Sequence, residues 1–277
     1  MPGRIWSRGA HRKGAPFALR GRGLIVLALL SCLVAPPGAS RAEDGCAPDR
    51  IDRRAVVAYV YDGDTVRLSD GHKVRFIGID TPEIGHDGRP NQPGAVEARE
   101  ALRRLLGEGG ELALRYGVER HDHYGRLLAH VYLPDGRSVT RRLLAAGLGT
   151  HLTIPPNLRN NACYGRAEAK ARRAGLGIWT LPRYQPIQST ALPSSARGFH
   201  IVRGKVVHIG ESRGAIWVDL AGGVGLRIPR KDLHYFTSYH PRAVGGHEVL
   251  ARGWLYARRG ELRMAIHHPA ALQRLRR

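Results

Sequence analysis

The sequence predicts an α+β fold class: a five-stranded barrel with helices set apart from its strands, followed by a second, smaller, mostly-β barrel. Three observations lead there. Short apolar runs separated by Gly, Asp and Pro turns recur in both halves of the 277 residues. The three longer helical patterns all fall before residue 181. A stretch over residues 181–197, with Pro182, Pro186 and Pro193 among Ser and Gln, lacks periodicity and reads as a linker.

The N-terminus carries Arg4, Arg8, Arg12, Lys13, Arg20 and Arg22 before an apolar run over residues 24–35. Pro36-Pro37-Gly38 and Ser40-Arg41-Ala42 follow, the pattern of an export signal over residues 1–42 cut after Ala42. The run is short for a membrane span, so no stable membrane association is expected after cleavage. Leu29-Leu30-Ser31-Cys32 loosely resembles a lipoprotein box, which leaves a lipoprotein at Cys32 as the alternative. Either a periplasmic or an extracellular destination fits. Residues 43–53 form an arm. With Cys32 removed, Cys46 and Cys163 remain, an even pair in an oxidising compartment. A disulfide is expected, with two free thiols as the alternative.

Residues 54–60 read as a strand, and Asp62-Gly63 turns the chain into a second strand over 65–68. A third strand spans 74–79. The polar loop over 84–94 has the composition of a mobile lid. Val96, Leu102, Leu105 and Leu106 mark a helix stopped by Gly107. Strands at 112–116 and 127–133 follow, then helices at 138–146 and 166–174. The first domain therefore covers 54–180. In the second, 198–277, five strands are expected at 202–209, 215–220, 224–228, 249–256 and 262–266, with a short helix at 231–236 between the third and fourth. That order suggests a barrel of the OB type. Trp217 and Trp254 are expected in its core.

Lysine and arginine total 44 against 23 acids, a formal charge of +21. Without the signal the balance is 37 against 23, or +14. Such an excess favours a polyanionic partner, a solubilising surface being the plainer alternative.

Residues 62–65 and 75–83 pack four acids (Asp62, Asp64, Asp80 and Glu83) and Arg75 into two short strands and two turns. Acids at this density suit a hard cation such as calcium. The guanidinium beside them points to a ligand that carries phosphate. Together with Thr81 and the run Asp122-His123-Tyr124-Gly125-Arg126, these motifs closely resemble the staphylococcal nuclease (thermonuclease) family over residues 55–179. The resemblance implies a calcium-dependent phosphodiesterase on an OB-like barrel, acting on DNA or RNA with low sequence specificity and leaving 3′-phosphate ends. It implies Asp64, Asp80 and the Thr81 carbonyl as calcium ligands, and Asp62 as the holder of a metal-bound water. Glu83 would be the general base or the orienter of the attacking water, and Arg75 and Arg126 the grips on the scissile phosphate. The carboxylates and both guanidinium groups would then converge around one cation-sized gap. His123 stands where the staphylococcal member has a lysine, and Leu152 and Ile154 stand where it has tyrosines. His123 and Tyr124 are taken as substrate contacts.

The second domain has no acid cluster of catalytic type. Its basic residues, Arg203, Arg227, Arg252 and Arg263 among them, are interleaved with Trp217, Tyr235, Tyr239, Trp254 and Tyr256, which suggests an accessory nucleic-acid-binding domain. The leading expectation is an exported monomeric nuclease. The alternatives are a non-catalytic nucleic-acid-binding module on the same fold and a basic envelope interaction protein.

Overall fold

The computed structural model describes residues 46–275, all within one compact unit. The expected signal over 1–42, Cys32 and the start of the 43–53 arm lie outside the described residues.

Apolar residues at alternate positions build β1 (Arg53–Val60), β2 (Thr65–Leu68) and β3 (Lys73–Phe76), an antiparallel meander. β4 (Ile79–Asp80) and helix α1 (Ala95–Leu106) follow. β5 (Glu111–His121) returns along β1, and β6 (Leu127–Tyr132) pairs antiparallel with β5 and parallel with β3, closing the ring. Helix α2 (Val139–Ala145), β7 (Thr150–His151) and helix α3 (Asn161–Arg173) complete the first domain. Inside the ring, Val66, Leu68, Val74, Leu114, Ala129 and Val131 are fully buried, with Leu102 of α1 and Leu143 of α2 on the same core. Cys46 and Cys163 form a disulfide that ties the arm to α3, their Cα atoms 5.8 Å apart.

The third expected strand does not run through to residue 79. Gly78, at φ 89°, turns the chain between β3 and β4. A Cβ there would lie 2.3 Å from the Tyr164 ring, so the turn requires glycine on two grounds. The 84–94 loop is closed on itself, with the Gly85 N–H donating to Asn91 Oδ1 (2.9 Å) and the Gln92 N–H to the Glu83 carbonyl (2.9 Å).

The stretch expected to be a structureless linker is ordered. β8 (Pro186–Gln188) pairs parallel with β9 (Gly198–Glu211), and Tyr184 and Ser189 are buried. Then come β10 (Ala215–Leu220), β11 (Val224–Pro229), β12 (Glu248–Arg258), β13 (Glu261–Ala265) and β14 (Leu272–Arg274). β9 to β13 close a second ring through pairing of β12 with β9, with β8 and β14 added at its margins. Both rings share one order: first, second, third, fifth, fourth, with the third and fifth parallel. A parallel neighbour demands a crossover between third and fourth strands. α1 lies in that connection in the first barrel, and 3₁₀ turns at Arg230–Tyr235 and Pro241–Val244 lie in it in the second.

Trp217 and Trp254 are not core residues. Ile216 and Val218 turn inward on β10, as do Ala251 and Leu255 on β12, so Trp217 and Trp254 beside them face out; Trp254 is 41% exposed. A smaller core joins the barrels: Ala171, Ile178, Trp179, Tyr184, Phe199 and Ile201 are buried together. The rings of Trp179, Tyr184 and Phe199 follow one another within it at centroid spacings of 6.2 and 6.1 Å, and the exposed Trp254 packs on Phe199 from outside at 5.5 Å. Burial of a side chain such as Phe199 or Ile201 contributes about 1.5–3 kcal/mol, which explains why a proline-rich stretch is held in place here.

Candidate active site

The Asp62-Gly63-Asp64 turn between β1 and β2 is closed by its own side chain, Asp62 Oδ1 accepting from the Asp64 N–H at 2.9 Å. A Cβ on Gly63 would come within 2.8 Å of Ala98 in α1 and of Thr81, so only glycine lets the turn sit this close to both. Asp64 Oδ2 accepts from the Thr81 N–H (2.7 Å) and hydroxyl (3.1 Å), and Oδ1 accepts from the Thr65 hydroxyl (2.9 Å).

The Gly78 turn folds Arg75 back over its own chain. Its Nη1 donates to the carbonyls of Phe76 (3.0 Å) and Ile79 (2.7 Å), and its Nη2 to Asp80 Oδ1 (2.8 Å); Asp64 Oδ1 lies 3.2 Å from Nη1. Pairing of β4 with β7 fixes the Asp80 end. Arg75 therefore lies buried between Asp64 and Asp80 as their counter-ion. Burial works against the Arg75 charge, but the carboxylates of Asp64, Asp80, Asp62 and Glu83 outweigh it and raise its pKa.

The acids respond to their crowding. Burial, followed by the Asp64 charge, pushes Asp62 up to about 8. Burial pushes Asp80 up to about 7 against the pull of Arg75. Glu83 is also raised, by burial first and Asp64 next, while a hydrogen bond from Asp62 and the charges of Arg75 and Arg126 oppose the rise. Burial thus favours the neutral form of Asp62, which shares a side-chain hydrogen bond with Glu83.

On the opposite side, the loop between β5 and β6 is an Asp-closed turn. Asp122 Oδ1 accepts from the N–H groups of Tyr124 (3.0 Å) and Arg126 (2.9 Å), and Oδ2 accepts from Arg126 Nε (2.7 Å). The guanidinium of Arg126 lies over the Tyr124 ring, 5.4 Å from its centroid. Tyr124 is 73% exposed and its ring stacks against His123. Arg75, Arg126 and His123 line a cleft of about 350 Å³ whose far wall is Leu152 and Ile154.

The structure thus brings Asp62, Asp64, Arg75, Asp80, Thr81 and Glu83 into one cluster, with Arg126 across the cleft and His123 and Tyr124 on its rim. The donor chemistry fits a hard cation: oxygen ligands, and four carboxylates facing one buried guanidinium. Among the described residues, however, no three His, Cys, Asp or Glu side chains are gathered in metal-ligand geometry. The physical reason is that Asp64 has both oxygens engaged by Thr65, Thr81 and Arg75, and Asp80 turns one oxygen to Arg75. Arg75 accordingly sits among the ligand candidates and lines the same cleft as Arg126. Sequence reasoning assigned no role to Asp122, although an aspartate opening a tight turn four residues before an arginine is a readable anchor. It also missed Asn157, which lines the cleft and exchanges hydrogen bonds with the Glu119 backbone at 3.0 and 3.1 Å.

Residues 73–181 match the family described as Staphylococcal nuclease homologue. The thermonuclease of Staphylococcus intermedius is 35% identical over 127 residues, 45% of this chain and 74% of that protein. Endonuclease YncB of Bacillus subtilis is 35% identical over 128 residues, 44% of this chain and 60% of that protein. Endonuclease YhcR of the same species is 29% identical over 216 residues, 74% of this chain but 17% of its own length. That match exceeds what residues 1–181 hold, so it reaches into the second barrel, while the chain spans a small part of that relative. The buried Arg75, Asp80, Glu83 and the Asp122-anchored Arg126 fall within residues 73–181, and the thermonuclease match covers most of that protein: the chain belongs to the staphylococcal nuclease family.

Proposed function

We propose that this protein is an exported, calcium-dependent nuclease that hydrolyses phosphodiester bonds of DNA or RNA with low sequence specificity and leaves 3′-phosphate ends. The observation that carries the reading is a cleft lined by Arg75 and Arg126, with four carboxylates clustered about Arg75. A phosphodiester repels an incoming nucleophile and gathers negative charge on its oxygens as it reacts. Arg126, fixed by Asp122, binds those oxygens through its guanidinium fork. Glu83 takes the proton of the attacking water, and the hydrogen bond from Asp62 aims its carboxyl. Asp64, Asp80 and the Thr81 carbonyl would hold calcium, which when bound supplies positive charge to the phosphoryl oxygens. The Cys46–Cys163 disulfide supports an oxidising destination.

Purified protein incubated with plasmid DNA, and separately with RNA, tests this. Cleavage is expected with calcium, and its loss with a chelator and with Glu83→Gln at unchanged far-UV circular dichroism. Metal-independent cleavage defeats the mechanism. The engagement of Asp64 and Asp80 by Arg75 favours one second reading, a non-catalytic nucleic-acid-binding module; binding of DNA without cleavage under every divalent cation would select it.

A further inference from the structure

The cleft does not end at Leu152 and Ile154. Behind that wall lies a second cavity of about 250 Å³ between the barrels, bounded by the same two residues and by Arg252, Trp254, Tyr256 and His267 of the second barrel. Trp254 and Tyr256 are 41% and 36% exposed. They stand two apart on the outward face of β12. Across the strands, Tyr256 pairs with Arg263 and Arg227 with both Trp217 and Ala265, so these side chains continue the same face. Arg263 reaches over the Trp217 ring, 4.7 Å from its centroid, beside Gly225, which leaves room there.

From these observations we propose that the outer face of the second barrel, from Trp254 and Tyr256 to Arg263 and Trp217, extends the cleft as a track for single-stranded nucleic acid. The proposal rests on the nuclease reading only for the chemistry at the cleft; the track itself is a binding surface. Three features select this occupant. Flat rings open to solvent stack unpaired bases, which a duplex does not offer. Arginines spaced among the rings match a phosphate backbone. The two cavities adjoin at Leu152 and Ile154, which puts the track within reach of a strand held in the cleft. A strand engaged in this way presents its scissile phosphate to Arg126 while its neighbouring bases lie on Trp254 and Tyr256.

The test uses the full chain in the Glu83→Gln background for binding and the native background for cleavage. The double variant Trp254→Ala, Tyr256→Ala is compared with Trp254→Phe, which keeps a ring and serves as the conservative control; thermal melting confirms that each variant folds. A fluorescent twenty-nucleotide oligothymidylate is expected to bind the double variant about tenfold or more weakly and Trp254→Phe near normally. In the native background, KM for the same oligonucleotide rises by a similar factor while kcat/KM for a dinucleotide stays unchanged. Unaltered oligothymidylate affinity overturns the proposal, as does an equal loss on the dinucleotide, which would mean that the cleft itself had been disturbed. Loss of self-association with intact oligonucleotide binding also overturns it, assigning the face to a second copy of the chain. If no variant cleaves anything, the nuclease reading fails, and the binding arm still decides the track.

Discussion

Arg252 of β12 holds both carboxylate oxygens of Glu168 in α3, at 2.5 and 2.6 Å, across the junction of the two barrels. The same carboxylate accepts from the His151 N–H at 2.6 Å. Burial favours the neutral acid, but the Arg252 charge and these hydrogen bonds keep the pKa of Glu168 low. Removing one partner leaves a charge in a water-poor site. Glu168→Gln is expected to cost about 3–5 kcal/mol, and the double replacement Glu168→Gln, Arg252→Met less than the single one. Urea unfolding of these two variants and of Arg252→Met alone measures this; additive losses would show that the two groups do not interact.

His130 is fully buried, and burial together with the charges of Arg159 and Arg115 lowers it from its ordinary 6.5 to about 4. His151 is lowered to about 4 as well, burial again leading. In both cases the fold holds the neutral ring, so the unfolded chain takes up a proton first. The contribution of these two histidines to stability is therefore full above pH 6.5, falls as pH drops from there to about 4, and then levels off. His130 alone accounts for about 3 kcal/mol of that fall. Denaturant titrations at pH 7, 5.5 and 4 should show a shallower acid decline for His130→Gln than for the native chain. Parallel curves would remove His130 from the explanation.

The Cys46–Cys163 bridge closes a separation of 117 residues. In the chain-entropy picture a loop of that size is stabilised by about 4–5 kcal/mol. Replacing both cysteines with alanine should lower the denaturant midpoint by a matching amount with little change in slope. Equal midpoints with and without the bridge would limit it to a local tie.

Asp122 acts through Arg126. Without its carboxylate, Asp122→Ala leaves the Arg126 guanidinium unheld, and cleavage is expected to drop mainly in kcat. Arg126→Ala itself should lower kcat by about 10²-fold or more. Adding guanidinium ion is expected to restore part of the activity to Arg126→Ala and little to Asp122→Ala. Full activity in Arg126→Ala would remove this residue from the phosphate grip.

Gly63→Ala forces a methyl against Ala98 and Thr81 at 2.8 Å. A loss of about 1–3 kcal/mol is expected, along with weaker calcium dependence of cleavage, since the turn that carries Asp64 must shift. Unchanged thermal and kinetic behaviour would mean that α1 yields easily.

Much of this was legible in the chain. Alternating apolar residues and Gly or Asp turns located all ten ring strands, because most of them have one face in a core and one in water. The acids and arginines of the site were readable because turn residues must be nearby for such groups to meet. Three things were not readable. Gly78 sits inside an apolar run, and only its close approach to Tyr164 shows that the run must break. Trp217 and Trp254 look like core residues by hydrophobicity, and their outward aim depends on strand register that composition does not encode. Arg75 has four acids within ten or so residues, and which of them it faces is decided by a three-dimensional fold-back, not by spacing.

Helix α3 touches every part of this arrangement. It carries Cys163 of the bridge, Tyr164 beneath the Gly78 turn and Glu168 at the barrel junction. Nothing can loosen this helix without disturbing the cleft, the covalent tie and the second barrel at once. Its amides should accordingly be among the slowest to exchange with heavy water, and the two barrels should lose their structure in a single cooperative melt instead of in succession.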